Sequence, residues 1–202
     1  MQVASRRLAQ FHSDIGRARD FVALGQSIGG LTQGRVDASD LFRSGLVQAV
    51  AALDSYIHGV VLDRAVDLLT GRLQAAPSVT KVGLDFGAVK DIMNAGSPSE
   101  IELAARSHIA QRLALETFQR PDDIAKALAM VGLGRVWSTA FPADPGGAKT
   151  AVGVIVDRRN RIVHSCDNDP VNQGALTALS PADALDAIAT VESTVDRIDP
   201  FC

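Results

Sequence analysis

Residues 41–73 read LFRSGLVQAVAALDSYIHGVVLDRAVDLLTGRL. Leu46, Val50, Leu53, Ile57, Val60 and Val61 recur mainly at steps of three and four, the period that lines up one face of a helix against a core. A strand would need alternation every second residue, and none is present. With Asp37 ahead of it and a cap near Ser39, the stretch predicts one long helix to about Leu73.

Working upstream, Leu8, Phe11, Ile15, Ala18, Val22 and Ile28 carry the same period and predict a helix from Ala4 to Leu31, ended by Gly29, Gly30 and Gly34. Downstream, 75–96 has no sustained period and predicts a connection holding a short helix over Phe86–Met93. Ser97-Pro98-Ser99-Glu100 supplies a hydroxyl, a proline and a carboxylate in the order a helix start requires, and predicts a helix to about Phe118. Arg120-Pro121-Asp122-Asp123 restarts the chain as a helix to about Val131. Phe141 to Gly147 reads as a loop, Lys149 to Ser165 as a helix stopped by Asp167-Asn168-Asp169-Pro170, and Ser180-Pro181-Ala182-Asp183 as the start of a last helix to Ile198. Only Val152 to Val156 offers an alternative as a strand, and one strand has nothing to pair with. The expectation is an all-α helical bundle of about five main helices, one domain over 1–202.

Bulk properties narrow the function. A net charge of -3 excludes broad nonspecific coating of nucleic acid, which needs many cations to neutralise phosphates, so any RNA contact is local. One Trp and one Tyr leave too few flat rings for base-stacking platforms. Two cysteines, Cys166 and Cys202, make no disulfide framework and read as free thiols. No run approaches the roughly 20 apolar residues of a membrane span. These features predict a cytoplasmic protein.

The chemistry concentrates in Asp157-Arg158-Arg159-Asn160-Arg161-Ile162-Val163-His164. Three guanidiniums, an amide and an imidazole within two helical turns invite an anion. Asn160 and His164, four residues apart, share a helical face; Arg159 sits about 100° round from Asn160 and reaches back with its long stem. An Arg followed by a His at this separation arises by chance about once in such a chain, but with Asn directly after the Arg the chance count falls to roughly one in a hundred.

Arg159-Asn160 and His164, with apolar Ile162-Val163 before the His, resemble the motif of ribonucleases in the HEPN superfamily. Leu46 to Val50 leading to Leu53-Asp54-Ser55-Tyr56-Ile57-His58 is similar to the companion helix of HEPN proteins found beside restriction and abortive-infection systems. The resemblance implies a homodimer in which two motifs meet across a two-fold axis as one composite site, acting as a toxin or anti-phage effector, with an antitoxin or defence-system protein as a further partner. It implies an endoribonuclease without metal or cofactor. RNA carries its own nucleophile, the 2′-hydroxyl, so cleavage needs a base, an acid and positive charge for the phosphorane oxygens. His164 suits the proton transfers because imidazole changes charge near neutrality. Arg159 would neutralise the scissile phosphate through its planar fork, Asn160 would orient His164 or bind the phosphate, and Arg158 and Arg161 would guide the RNA backbone. The family's nucleotidyltransferase-paired toxins often carry a tyrosine two residues after the His. Cys166 stands there, so regulation through that tyrosine does not carry over.

Asp54 and His58, four apart on the long helix, read in two ways: a pair reaching the motif, with Asp54 on the substrate side, or a structural pair with polar tips in water. His12 and His108 have no partner pattern. No His-x-x-x-His or Cys-x-x-Cys occurs, and Asp167 with Asp169 reads as a helix stop without ligands. Gln26 to Gly30 lacks the strand and Lys-Ser/Thr ending of a phosphate loop.

Overall fold

The computed structural model describes residues 6–74, 81–172 and 174–202. Its elements are α1 (Arg6–Leu31), α2 (Ser39–Leu69), α3 (Phe86–Met93), α4 (Pro98–Leu113), α5 (Pro121–Ala129), α6 (Val136–Ala140), α7 (Pro145–Ser165), α8 (Pro181–Ile198) and a closing 3₁₀ turn, Asp199–Phe201. The protein is an all-α bundle. Its five longest helices, α1, α2, α4, α7 and α8, have 26, 31, 16, 21 and 18 residues. Among the described residues no strand forms; Asn168 and Leu176 make a single antiparallel bridge, and Val152 to Val156 lies inside α7. The expected helix start at Ala4 and the part of the connection over 75–80 lie outside the described residues.

The Ser-Pro starts behave as their chemistry demands. Ser97 Oγ accepts from the Glu100 amide at 3.3 Å while Glu100 reaches back to the Gly96 amide at 2.8 Å. At α8 the amide of Asp183 donates to Ser180 Oγ and the amide of Ser180 to the Asp183 carboxylate, both at 3.1 Å. These reciprocal bonds fill donors that a first turn leaves open.

Four expectations need correction. The loop over Phe141 to Gly147 is shorter, because Asp144 caps α7 by accepting from the Gly147 amide at 2.7 Å and Pro145 occupies the first turn; the glycines read as breakers lie inside a capped turn. The helix α4 stops at Leu113, not Phe118, because the Phe118 amide is drawn to the Asp54 carboxylate at 2.7 Å. The short α6, which the sequence pattern did not predict, is seated by Trp137, whose Nε1 donates to the Pro121 carbonyl at 2.8 Å. Finally, α2 is long and apolar enough to cross a membrane by composition, contrary to the reading of that stretch, but 61% of its most apolar window is buried against the other helices.

Helix α2 is the axle. Gly45 lies so close to the Ala18 carbonyl that a Cβ would stand 2.8 Å from that oxygen, which brings α1 and α2 into backbone contact along their crossing. Leu46, Val50, Leu53, Ile57 and Val61 from α2 meet Phe11, Ile15 and Val22 from α1, Ile109 from α4, Ile124 and Leu128 from α5, Val152 and Val156 from α7, and Ile188, Val191 and Val195 from α8 in one continuous buried cluster. Burial of such side chains contributes roughly 1.5–3 kcal/mol each.

Charged side chains on α2 then hold the loops. Asp63 pairs with Arg7 of α1 and Arg106 of α4, which keeps its carboxyl below the ordinary range despite the opposing effect of burial. Asp54 accepts from the Phe118 amide and the Gln119 side chain. Arg64 donates to the Cys202 carbonyl at 2.9 Å. Arg43 grips the segment after α7.

Candidate functional site

Helix α7 buries Val152, Ile155 and Val156 against the core, and that stripe dictates where the motif residues face. At 100° per residue, Arg159 continues the buried stripe, whereas His164 lies about 140° further round. Arg159 and Asn160 are accordingly half-buried, while Arg161 and His164 are exposed.

The arginines, alike in sequence, differ in what neutralises them. Arg158 sends Nη2 to Asp167 Oδ2 at 2.7 Å, to the Thr177 carbonyl at 2.8 Å and to the Ala178 carbonyl at 3.1 Å. Arg158, expected to guide RNA, is engaged instead within the fold, its guanidinium paired with a buried carboxylate. Arg159 donates Nη1 to Asn160 Oδ1 at 3.1 Å, and its buried Nε has no hydrogen-bond partner. No ion pair neutralises Arg159 or Arg161 among the described residues. The Arg159–Asn160 contact also assigns the amide oxygen: Asn160 orients Arg159 in this structure, not His164.

His164 sits in the last turn of α7, its ring projecting into solvent. Val163, the residue before it, is 47% exposed. One turn before Arg161 on α7, Asp157 pairs with Arg120 at 2.8 Å. Ile162 faces the other way, about 160° round from His164, and with Cys166 beyond the helix end lines an open groove beside Phe21, Arg43, Val47 and Leu176.

Asp167, read from sequence as part of a helix stop, is the residue that sequence reasoning missed. Its side chain is fully buried and takes both guanidiniums on one oxygen: Arg43 Nε at 2.9 Å and Arg158 Nη2 at 2.7 Å. Its amide closes α7 by donating to the Arg161 carbonyl at 3.1 Å, and its carbonyl accepts from the Thr177 amide at 2.9 Å. Cys166 and Asp167 have φ of 49° and 55°, a left-handed pair that costs on the order of 1–2 kcal/mol per non-glycine residue and persists because these bonds hold it. The sequence did carry a signal. Arg43 stands three residues before Leu46 on the apolar stripe of α2, where a charge is out of place unless a buried partner awaits it. Asp169, by contrast, only shapes the turn, accepting from the Val171 and Asn172 amides.

Asp54 and His58 form a clasp away from the motif. His58 Nδ1 lies 3.2 Å from the Asp54 carboxylate and 2.8 Å from the Asp54 carbonyl, Nε2 lies 3.2 Å from the Leu113 carbonyl, and the ring packs on Phe118 at 4.3 Å. The bond to Asp54 holds the imidazole pKa above its ordinary value against the opposing effect of burial. Burial pushes the Asp54 carboxyl up, but His58, Gln119 and the Phe118 amide together bring it below its ordinary range. Asp54, expected on the substrate side, has its carboxylate oxygens engaged by His58, the Phe118 amide and Gln119, the structural pair of the two readings. The α4–α5 loop also delivers Arg120 to Asp157 of α7 at 2.8 Å.

Both cysteines are free thiols. Burial raises the Cys202 thiol to about 11. His12 bridges Glu192 and Asp196 of α8, and His108 meets Asp91 of α3.

No family model, no curated protein and no solved structure matches the chain. What the site offers is one un-neutralised guanidinium aligned by an amide, a second exposed arginine, and an exposed imidazole one turn beyond.

Proposed function

We propose that the protein is a metal-independent endoribonuclease of the HEPN type, cutting RNA in the cytoplasm at a site that two copies complete. The observation that carries this reading is the sorting of charge along α7: Arg158 is paired with the Asp167 carboxylate, while Arg159 donates to the Asn160 amide and, among the described residues, to no carboxylate.

In the proposed reaction His164 of one copy removes the proton of a 2′-hydroxyl, and the oxygen attacks the adjacent phosphorus. Arg159, with Arg161 at the rim, stabilises the phosphorane oxygens through charge-assisted hydrogen bonds. The second copy's His164, protonated, gives its proton to the departing 5′-oxygen, leaving a 2′,3′-cyclic phosphate and a 5′-hydroxyl. The motif of each chain holds one imidazole and so one proton-transfer group, and a two-fold pairing provides both acid and base. A growth-arresting toxin or anti-phage effector, held in check by a partner protein, is the setting this chemistry suits.

The test is incubation of purified protein with RNA in EDTA. Cleavage to cyclic-phosphate ends, lost in His164→Ala and Arg159→Ala while both variants keep the fold and dimer, is expected; full activity in either variant would sink the reading. One observation favours a second reading, a module that binds RNA without cutting it: no hydrogen bond orients the His164 ring among the described residues. Under that reading Arg159→Ala loses binding and His164→Ala does not.

A further inference from the structure

The segment after α7 is shaped with more investment than a helix stop needs. Asp167 is fully buried, Arg43 only 5% exposed, and they come from positions 124 residues apart. Arg43 spends its whole guanidinium here: Nε on Asp167, Nη2 on the Thr177 carbonyl at 2.9 Å and Nη1 on Ser39 Oγ at 2.7 Å. Arg158, from within α7, reaches the same carboxylate oxygen and the same carbonyl.

If the task were only to join α7 to α2, apolar side chains of similar volume would serve as well, since desolvation offsets most of what a buried ion pair gains. What such a pair adds is direction. Both guanidiniums are planar and donate along fixed lines, and the Asp167 amide is itself bonded to the Arg161 carbonyl. The carboxylate therefore fixes the axial and rotational position of the turn 161–167, and His164 stands in the middle of that turn, exposed and with no side chain of its own to orient it.

We infer that Asp167 and Arg43 are positioning residues for His164: the buried clamp sets where the imidazole points, and its loss slows the proton transfers without weakening RNA binding. This rests on the ribonuclease reading for its rate consequence, but not for its structural one. The side chains of Arg159 and Arg161, which would hold the phosphate, make no bond to the clamp among the described residues; Arg161 meets it only through its backbone carbonyl, so rate is expected to fall further than affinity.

The experiment uses the full chain with Arg43→Gln and Asp167→Asn, two lesions of the clamp that differ in which charge is lost, and Arg43→Lys as the conservative variant. Amide hydrogen exchange over 161–167 is measured beside the His164 ring signals by NMR. Cleavage of a quenched fluorescent single-stranded RNA is followed in EDTA. Exchange over this turn is expected to quicken by about tenfold or more while α2 amides near Leu53 stay protected, and the His164 ring signals to broaden or shift. A misplaced imidazole should lower kcat by about ten- to a hundredfold with KM within about twofold, and Arg43→Lys should recover part of the loss. Unchanged exchange and unchanged His164 signals in a folded variant would overturn the clamp, as would an equal loss in kcat and RNA affinity. If either variant fails to fold, the other and Arg43→Lys carry the comparison. Should the wild-type chain cut no RNA, the ribonuclease reading fails, while exchange and ring signals still decide for or against the clamp.

Discussion

Arg159 donates to Asn160 Oδ1 at 3.1 Å and to no carboxylate, so the amide aligns the guanidinium without cancelling its charge. Asn160→Asp would keep the shape and the acceptor but neutralise the pair. RNA cleavage should fall at least about tenfold, and fluorescence anisotropy should show weaker RNA binding with a shallower salt dependence, because one phosphate contact is lost. Wild-type affinity in this variant would show that Arg159 does not meet phosphate.

Neighbouring arginines should answer differently to the same change. Arg158→Ala leaves Asp167 with Arg43 alone as its cation and should cost about 1.5–3 kcal/mol in urea unfolding, the range of a hydrogen bond to a charged group. Arg161→Ala, exposed and without an ion pair, should stay within about 0.5 kcal/mol while reducing RNA binding.

The Asp54–His58 clasp makes stability depend on pH. His58 is raised when folded, so its contribution is complete below about pH 6.5 and fades as pH rises through the higher folded value. Asp54 is lowered when folded, so its contribution is present above about pH 4 and fades on acidification. The melting-temperature gap between wild type and His58→Gln should therefore be widest near pH 5 to 6 and narrow towards pH 8.5. A gap that widens on the alkaline side would contradict the assignment.

Asp144→Ala removes the cap of the motif helix and should cost about 1 kcal/mol, read by thermal melting. Asp144→Ser should restore most of it, since the Gly147 amide needs only an oxygen acceptor. No recovery would mean that α7 is held by its packing alone.

Much of the fold was legible because local chemistry dictated it. Ser97 and Ser180 announced their helices by side-chain oxygens that no other conformation would satisfy as well. Asp144-Pro145 is the same grammar, but Gly146-Gly147 beside it reads as a breaker, and only the capped turn reveals which signal prevails. The motif was legible for a different reason: Arg159, Asn160 and His164 lie within two turns, where helical geometry alone fixes their relation. The clamp was not, because Asp167 and Arg43 meet only through the tertiary fold, and nothing local distinguishes a buried aspartate from the exposed Asp169 two residues on. The Asp54–His58 pair was legible from its spacing of four on one helix; the Phe118 amide and Gln119, which also hold Asp54, were not, because they arrive from a distant loop and a backbone amide leaves no mark in a sequence.

The long separation between Arg43 and Asp167 also orders events in time. During synthesis α1 and α2 pair early, since their contacts are near in sequence, and contacts between distant positions close late. Arg43 then waits on a finished scaffold for a carboxylate not yet made. The left-handed turn at Cys166 and Asp167 has little reason to persist until that carboxylate and Thr177 arrive, so the motif helix forms before its end acquires a fixed shape. A nascent chain would carry every residue of the motif while the end of that helix is still unshaped, so the last turn of α7 is ordered only after Asp167 and Thr177 have been made.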